Sequence, residues 1–112
     1  MVKLKAGVDA RLLSIKLASH LTNLEWIFRY HTNPDWDLTI TSASEGQHST
    51  GSLHYVHKAV DLRTKYRAID GSWEKLPWEC IGRIVADIQR LLGEDYDIVD
   101  EGTHIHIEFD PS

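Results

Sequence analysis

Cysteine is nearly absent from this sequence, with one residue, Cys80, among 112. A single thiol cannot close a disulfide within the chain, and zinc sites built on CxxC thiolate pairs are excluded. No apolar run approaches the roughly 20 residues of a membrane span. Lys3 and Lys5 near the start are followed by Asp9 and Arg11 rather than by an apolar stretch of signal-peptide length. The expectation is a protein made in the cytoplasm, without a signal peptide and without a membrane partner. Positive charge is also scarce: 12 Lys and Arg against 17 Asp and Glu leave a net charge of -5. A binder that tracks nucleic-acid phosphates normally carries a basic excess, so no nucleic-acid partner is expected. Repeats, low-complexity tracts and charge blocks are missing too, which excludes a multi-unit array.

What the chain does have is a globular balance, 42% hydrophobic and 26% charged. Its length suits one core, so residues 1–112 read as a single domain, expected to act as a monomer. Histidine is the outlier, at 7 residues. His48, His54 and His57 fall in one short stretch and His104 and His106 in another. With thiolates excluded, any metal would be held by imidazole and carboxylate.

Leu13, Leu17, Leu21, Leu24 and Phe28 recur at steps of four or three, which predicts one helix from Asp9, its N-cap, to about Tyr30. Leu38 to Thr41 alternates as a short strand, and Ser42 to Ser52 reads as a loop. Ala59 to Arg63 alternates again, with Ala59, Asp61 and Arg63 on one face and Val60 and Leu62 on the other. A second helix is predicted to start near Ser72, with Pro77 in its first turn and Gly93 as its stop. Its expected buried stripe is Trp78, Ile81, Val85, Ile88 and Leu92, with Cys80 as a small buried residue. Tyr96 to Val99 and His104 to Phe109 complete the strands, with a turn at Glu101-Gly102. In the last strand Ile105, Ile107 and Phe109 face the core, while His104, His106 and Glu108 face away. The expected fold class is α+β: a small antiparallel sheet with two main helices packed on one face, the polar face left open.

An open zinc site takes three nitrogen or oxygen ligands and leaves a fourth position for water. A histidine in a loop before a strand, an aspartate within that strand and a histidine on a partner strand can converge so; His54, Asp61 and His106 meet the description. The same donors would also suit a two-histidine, one-carboxylate iron site, whose usual folds are larger barrels. His104-x-His106-x-Glu108 has the look of a cupin metal strand, but cupins need many more strands. Trp36, Trp73 and Trp78 could line a substrate groove or serve as boundary packing.

Ser52-x-His54-x-x-x-x-Ala59-x-Asp61, followed by His104-x-His106, resembles the zinc D-Ala-D-Ala carboxypeptidase and L-alanyl-D-glutamate endopeptidase family. That family's usual pattern is S-x-H-x-x-G-x-A-x-D and then a late H-x-H. Its fold is shared with the Hedgehog signalling domain, and short phage and prophage members carry cores like Ser52-Leu53-His54-Tyr55 and Asp61-Leu62-Arg63. The resemblance runs from about residue 38 to the end. It implies a Hedgehog/DD-peptidase-like fold, a Zn2+ cofactor held by His54, Asp61 and His106, and a peptidoglycan stem peptide as substrate. It further implies that His104 stabilises the developing oxyanion or orients a bound carboxylate, and that an acid takes the proton of the attacking water.

The chain departs from the pattern at three places. His57 stands where the family has glycine. Thr103 stands three residues before His106, where many members carry an acid, which leaves Glu101 as the nearest candidate base. Residues 38–53 contain no Arg or Lys to grip a substrate carboxylate, a role open to His48 or Arg63. These departures keep a second reading in play, a zinc-stabilised binding or structural module of the same fold, such as a virion component.

Overall fold

The computed structural model describes residues 1–46 and 57–110. Among these residues there are seven strands, three helices and a short 3-10 turn: β1 Lys3–Leu4, the turn Ala10–Leu12, α1 Ile15–Ser19, α2 Leu21–His31, β2 Thr39–Gly46 and β3 His57–Arg63. Then come β4 Lys65–Arg67, β5 Trp73–Lys75, α3 Trp78–Leu92, β6 Tyr96–Asp100 and β7 His104–Phe109. One five-stranded sheet has the order β1-β2-β3-β7-β6, and β4 and β5 form a separate hairpin. The α+β class is as expected, but the sheet is mixed rather than antiparallel. Lys3 and Leu4 pair in parallel with Thr39 and Ile40 along its edge. Nothing in the alternation of so short a segment marks it as a strand. Asp37, just before β2, holds it there through Lys3 Nζ at 2.8 Å.

The helices cover one face of the sheet. Leu17, Leu24 and Phe28 meet Ile40, Val60, Leu62, Ile105 and Ile107 from the strands and Ile81, Ile84, Ile88 and Leu92 from α3 in one continuous core. Each strand residue in that set follows the two-residue period of a pleated sheet, so every intervening side chain points to the opposite face.

Where one N-terminal helix was expected there are two, preceded by a 3-10 turn. Asp9 does cap, but it caps that turn, accepting from the Arg11 N–H at 2.9 Å. Ser14 restarts the helix by accepting from the Leu17 N–H at 3.0 Å. The Ser19 hydroxyl bonds back to the Lys16 carbonyl and His20 sits at ψ -1°, so the chain turns between α1 and α2. The apolar period runs on through this break, which is why it reads as one helix.

β2 is longer than predicted because of a bulge. Ile40 pairs with Leu62, yet Ser42 rather than Thr41 pairs with Asp61. The extra residue reverses the alternation, so Ala43 returns to the core side and Ser42 joins the polar face. Residues 42–46, expected as loop, are therefore strand. Similarly, residues 73–75 are strand rather than the start of a helix. Ser72 N–H bonds Asp70 Oδ1 at 2.9 Å and Gly71 has φ 87°, closing a turn between β4 and β5. Pro77 becomes the N-cap of α3, and Gly93 ends that helix at φ 84°. The buried stripe of α3 is Cys80, Ile81, Ile84, Ile88 and Leu92. Trp78, assigned to the stripe from the sequence, is 77% exposed, and Val85 lies at its margin.

One buried carboxylate ties the layers together. Glu25 on α2 accepts the Leu38 N–H at 3.0 Å and faces the Arg29 guanidinium at 3.4 Å, while Arg29 Nε donates to the Trp36 carbonyl at 2.8 Å. These bonds fix the entry to β2, and Trp36 stacks on Phe28 with ring centres 5.7 Å apart.

Ile107 is fully buried between the sheet and the helices. Replacing it with Ala should lower unfolding free energy by about 2–5 kcal/mol, because the cavity left by a core Ile only partly collapses. A urea midpoint shift with unchanged slope is the measurement that checks it.

Candidate metal centre

The polar face of the sheet is built by β3 and β7. Their antiparallel register sets Asp61 opposite His106 and Arg63 opposite His104, while Leu62 opposite Ile105 faces the core. Ser42 on one side and Val99 on the other complete the row that holds Asp61 and His106. The expected alternation of His104, His106 and Glu108 away from the core is what the strand shows.

Asp61 Oδ1 and His106 Nδ1 lie 2.8 Å apart and share a hydrogen bond. His104 Nε2 stands 3.7 Å from Asp61 Oδ2, and His106 Nε2 stands 3.6 Å from Glu108 Oε1. Asp61 is thus flanked by both imidazoles, and the three side chains are about a quarter exposed, reachable from solvent. The Thr41 hydroxyl donates to the Asp61 carbonyl at 3.4 Å, so the bulge also steadies the backbone under the carboxylate.

Burial pulls the His106 imidazole down, but the Asp61 hydrogen bond and charge, with Glu108 behind them, outweigh it and hold His106 above the ordinary histidine range. An imidazole must be neutral to take a metal, so protonation of His106 would disfavour any metal at this pair.

Of the expected ligands, the structure brings Asp61 and His106 together. His54 lies outside the described residues, as do His48 and the side chain of His57 at the start of β3. The donor chemistry of Asp61 and His106, one carboxylate and one imidazole, suits zinc, with His54 needed as the third protein ligand. Among the described residues, the group of three donors whose atoms all come within 4.8 Å of one another is Asp97, Glu108 and Asp110 at the far end of the same face. Three carboxylates and no nitrogen make a harder set, closer to a calcium or magnesium preference than to zinc.

Glu101 and Thr103 occupy the turn that leads into β7. Thr64, fully buried, pins this turn: its N–H donates to the Thr103 carbonyl at 3.1 Å and its hydroxyl to the Gly102 carbonyl at 2.8 Å. Gly102 takes φ 89°, and the Glu101 N–H closes on the His104 carbonyl at 2.9 Å. The Glu101 side chain is exposed, and the Thr103 hydroxyl is 3.2 Å from His104 Nδ1. Thr103 therefore orients the neighbouring imidazole.

The remaining histidines have structural surroundings. His31 Nε2 meets Asp87 Oδ2 at 2.6 Å across α2 and α3, and His20 is the joint between α1 and α2. Cys80 donates its thiol to the His31 carbonyl at 3.3 Å, and burial pushes it up, away from a reactive thiolate. Ser42, Thr41 and Asp97 were missed as members of the face; pairing register, not local pattern, brings them there.

In metal-free protein, Asp61→Asn should drop the His106 midpoint below its wild-type value, leaving burial as the main influence, as read by NMR titration of the ring. The stabilisation from the wild-type pair is full below the ordinary histidine value of about 6.5 and fades as pH rises through the raised His106 midpoint. A metal-free stability profile without that decline in wild type, or with an equal one in Asp61→Asn, would contradict the assignment. Comparison with protein-family models, curated proteins and solved structures finds no match to this chain.

Proposed function

We propose that the chain is a zinc-dependent peptidase that hydrolyses a bond in peptidoglycan stem peptides, of the D-Ala-D-Ala or L-Ala-D-Glu type. The observation that carries this reading is the Asp61 and His106 pair, in register across β3 and β7 on an open polar face. The motif containing His54 leads directly into β3, which gives the pair its third ligand in the same pattern. A bound zinc ion supplies Lewis acidity, bringing a water pKa to about 7 and polarising the scissile carbonyl. Asp61 and His106 hold their donor atoms on the sheet face with little freedom, because both sit in the middle of paired strands. His104, one row along and beside Asp61, can donate a hydrogen bond to oxygen charge that develops on the substrate. Glu101, on the turn ahead of β7, takes the proton of the attacking water. Reaching a cell wall would follow release of the kind that phage lysis proteins use.

A second reading has its own observation. Thr103 spends its backbone on the Thr64 turn and its hydroxyl on His104, so the acid expected three residues before His106 is replaced by a positioning side chain. That favours a zinc-held binding module which keeps the ligands without turnover.

Metal analysis of gently purified protein should find about one zinc per chain, as an open three-ligand site holds. His106→Ala should lose both the metal and the cleavage. On muropeptides followed by mass spectrometry, Glu101→Gln should slow cleavage by about 10²–10⁴, the usual worth of a general base. Zinc without turnover in wild type establishes the binding module instead. Absence of zinc and of every other divalent ion removes both readings.

A further inference from the structure

As the chain passes from β3 into β4, cations stand at alternate positions: Arg63, Lys65 and Arg67. All three converge on Trp73 of β5. The guanidinium carbons of Arg63 and Arg67 lie 4.9 and 4.4 Å from the ring centre, and Lys65 Nζ lies 4.9 Å from it. The indole attracts each cation, but it carries no net charge to offset three positive groups gathered around one ring. Arg63 Nε is buried and has no hydrogen-bond partner among the described residues. A buried donor left unpaired in a native fold calls for a partner, and an ion or ligand from solution is one that fits.

These side chains line a cavity of about 1110 Å³ between the β4–β5 hairpin and the start of α3. Arg83 and Lys3 bring the cations on its wall to five, against Asp35, Asp37 and Glu79, with Asp37 engaged by Lys3 at 2.8 Å. Pro77 opens the 15-residue helix α3 on this wall and provides no side-chain cap for its first amides, so the positive end of the helix dipole adds to the field. In a chain of net charge -5, positive charge is concentrated here against the overall balance. The cations already surround the Trp73 ring, so recognition here works by charge and forked hydrogen bonds rather than by stacking a ligand ring.

We propose that this cavity binds a small, multiply charged oxyanion, with Arg63, Lys65 and Arg67 as its direct partners. Arg63 and Arg67 can each grip two oxygens of one group, while Lys65 acts as a point charge. Phosphoryl and carboxyl groups share this chemistry. The proposal does not depend on the metal reading, although Arg63 neighbours His104 across β3 and β7.

Isothermal titration of the full chain at constant ionic strength, with pyrophosphate in one arm and citrate in the other, tests it. Saturable binding at low millimolar concentration or better is expected for at least one anion, and the arm that binds tells phosphoryl from carboxyl recognition. Arg63→Gln should weaken it at least about tenfold, the loss of one charge-assisted contact. The doubly substituted Lys65→Gln, Arg67→Gln chain should weaken it by as much, with circular dichroism showing that the fold is kept. Lys16→Gln, on α1 over Tyr96, should change nothing. His106→Ala separates this site from a metal-held anion: unchanged affinity supports the basic cavity, and lost affinity overturns it. Failure of both anions to bind, or equal binding by the folded cavity variants, also overturns it.

Discussion

The antiparallel register of β3 against β7 governs both faces of the molecule together. Leu62 opposite Ile105 and Val60 opposite Ile107 are seated under the helices, and the same pairing sets Asp61 beside His106 in solvent reach. A slip of one residue would turn either the Asp61 carboxylate or both imidazoles into the apolar layer and expose that strand's aliphatic side chains. Burying unpaired charge is far more costly than any local gain from such a slip could offset. The apolar core is therefore what places the polar pair, and the precision of the candidate centre derives from hydrophobic packing on the other side of the sheet.

Two further devices depend on that register. The bulge at Thr41 lets β2 follow β3 while switching which of its residues face the core, so Ser42 rather than Thr41 borders Asp61. Thr64, at the end of β3, is fully buried because it holds the turn before β7 by two hydrogen bonds. Glu101, Gly102 and Thr103 are thus anchored to the strand that carries Asp61. A turn that would otherwise be a surface loop becomes part of the framework around the histidines.

The same strand serves two electrostatic regions of opposite character. Around Asp61 and Glu108 the face is acidic and imidazole-rich, which raises His106 despite its partial burial. Two residues further on, Arg63 begins a cationic row that ends around Trp73 and the open end of α3. Arg63 shares the sheet face of Asp61, two residues along β3, while Lys65, Arg67 and Trp73 belong to the hairpin beyond it. Charge separation along a single strand thus gives the surface a direction.

Much of this was legible in the sequence. Alternation in residues 59–63 and 104–109 identified which side chains share the polar face, because a strand's period of two requires no knowledge of its neighbours. The stop of α3 at Gly93 and the burial of Cys80 also followed from local rules. The short β1, the break at His20, the bulge and the β4–β5 hairpin did not, because each is set by partners distant in the chain or by a single side-chain hydrogen bond. Composition and pattern determined an α+β chain with histidine and carboxylate on one face of a sheet. Only the tertiary structure decided that Asp61 meets His106 and that three alternate cations close on one tryptophan. Strand register and hairpin pairing are long-range choices, made by the core that they enclose.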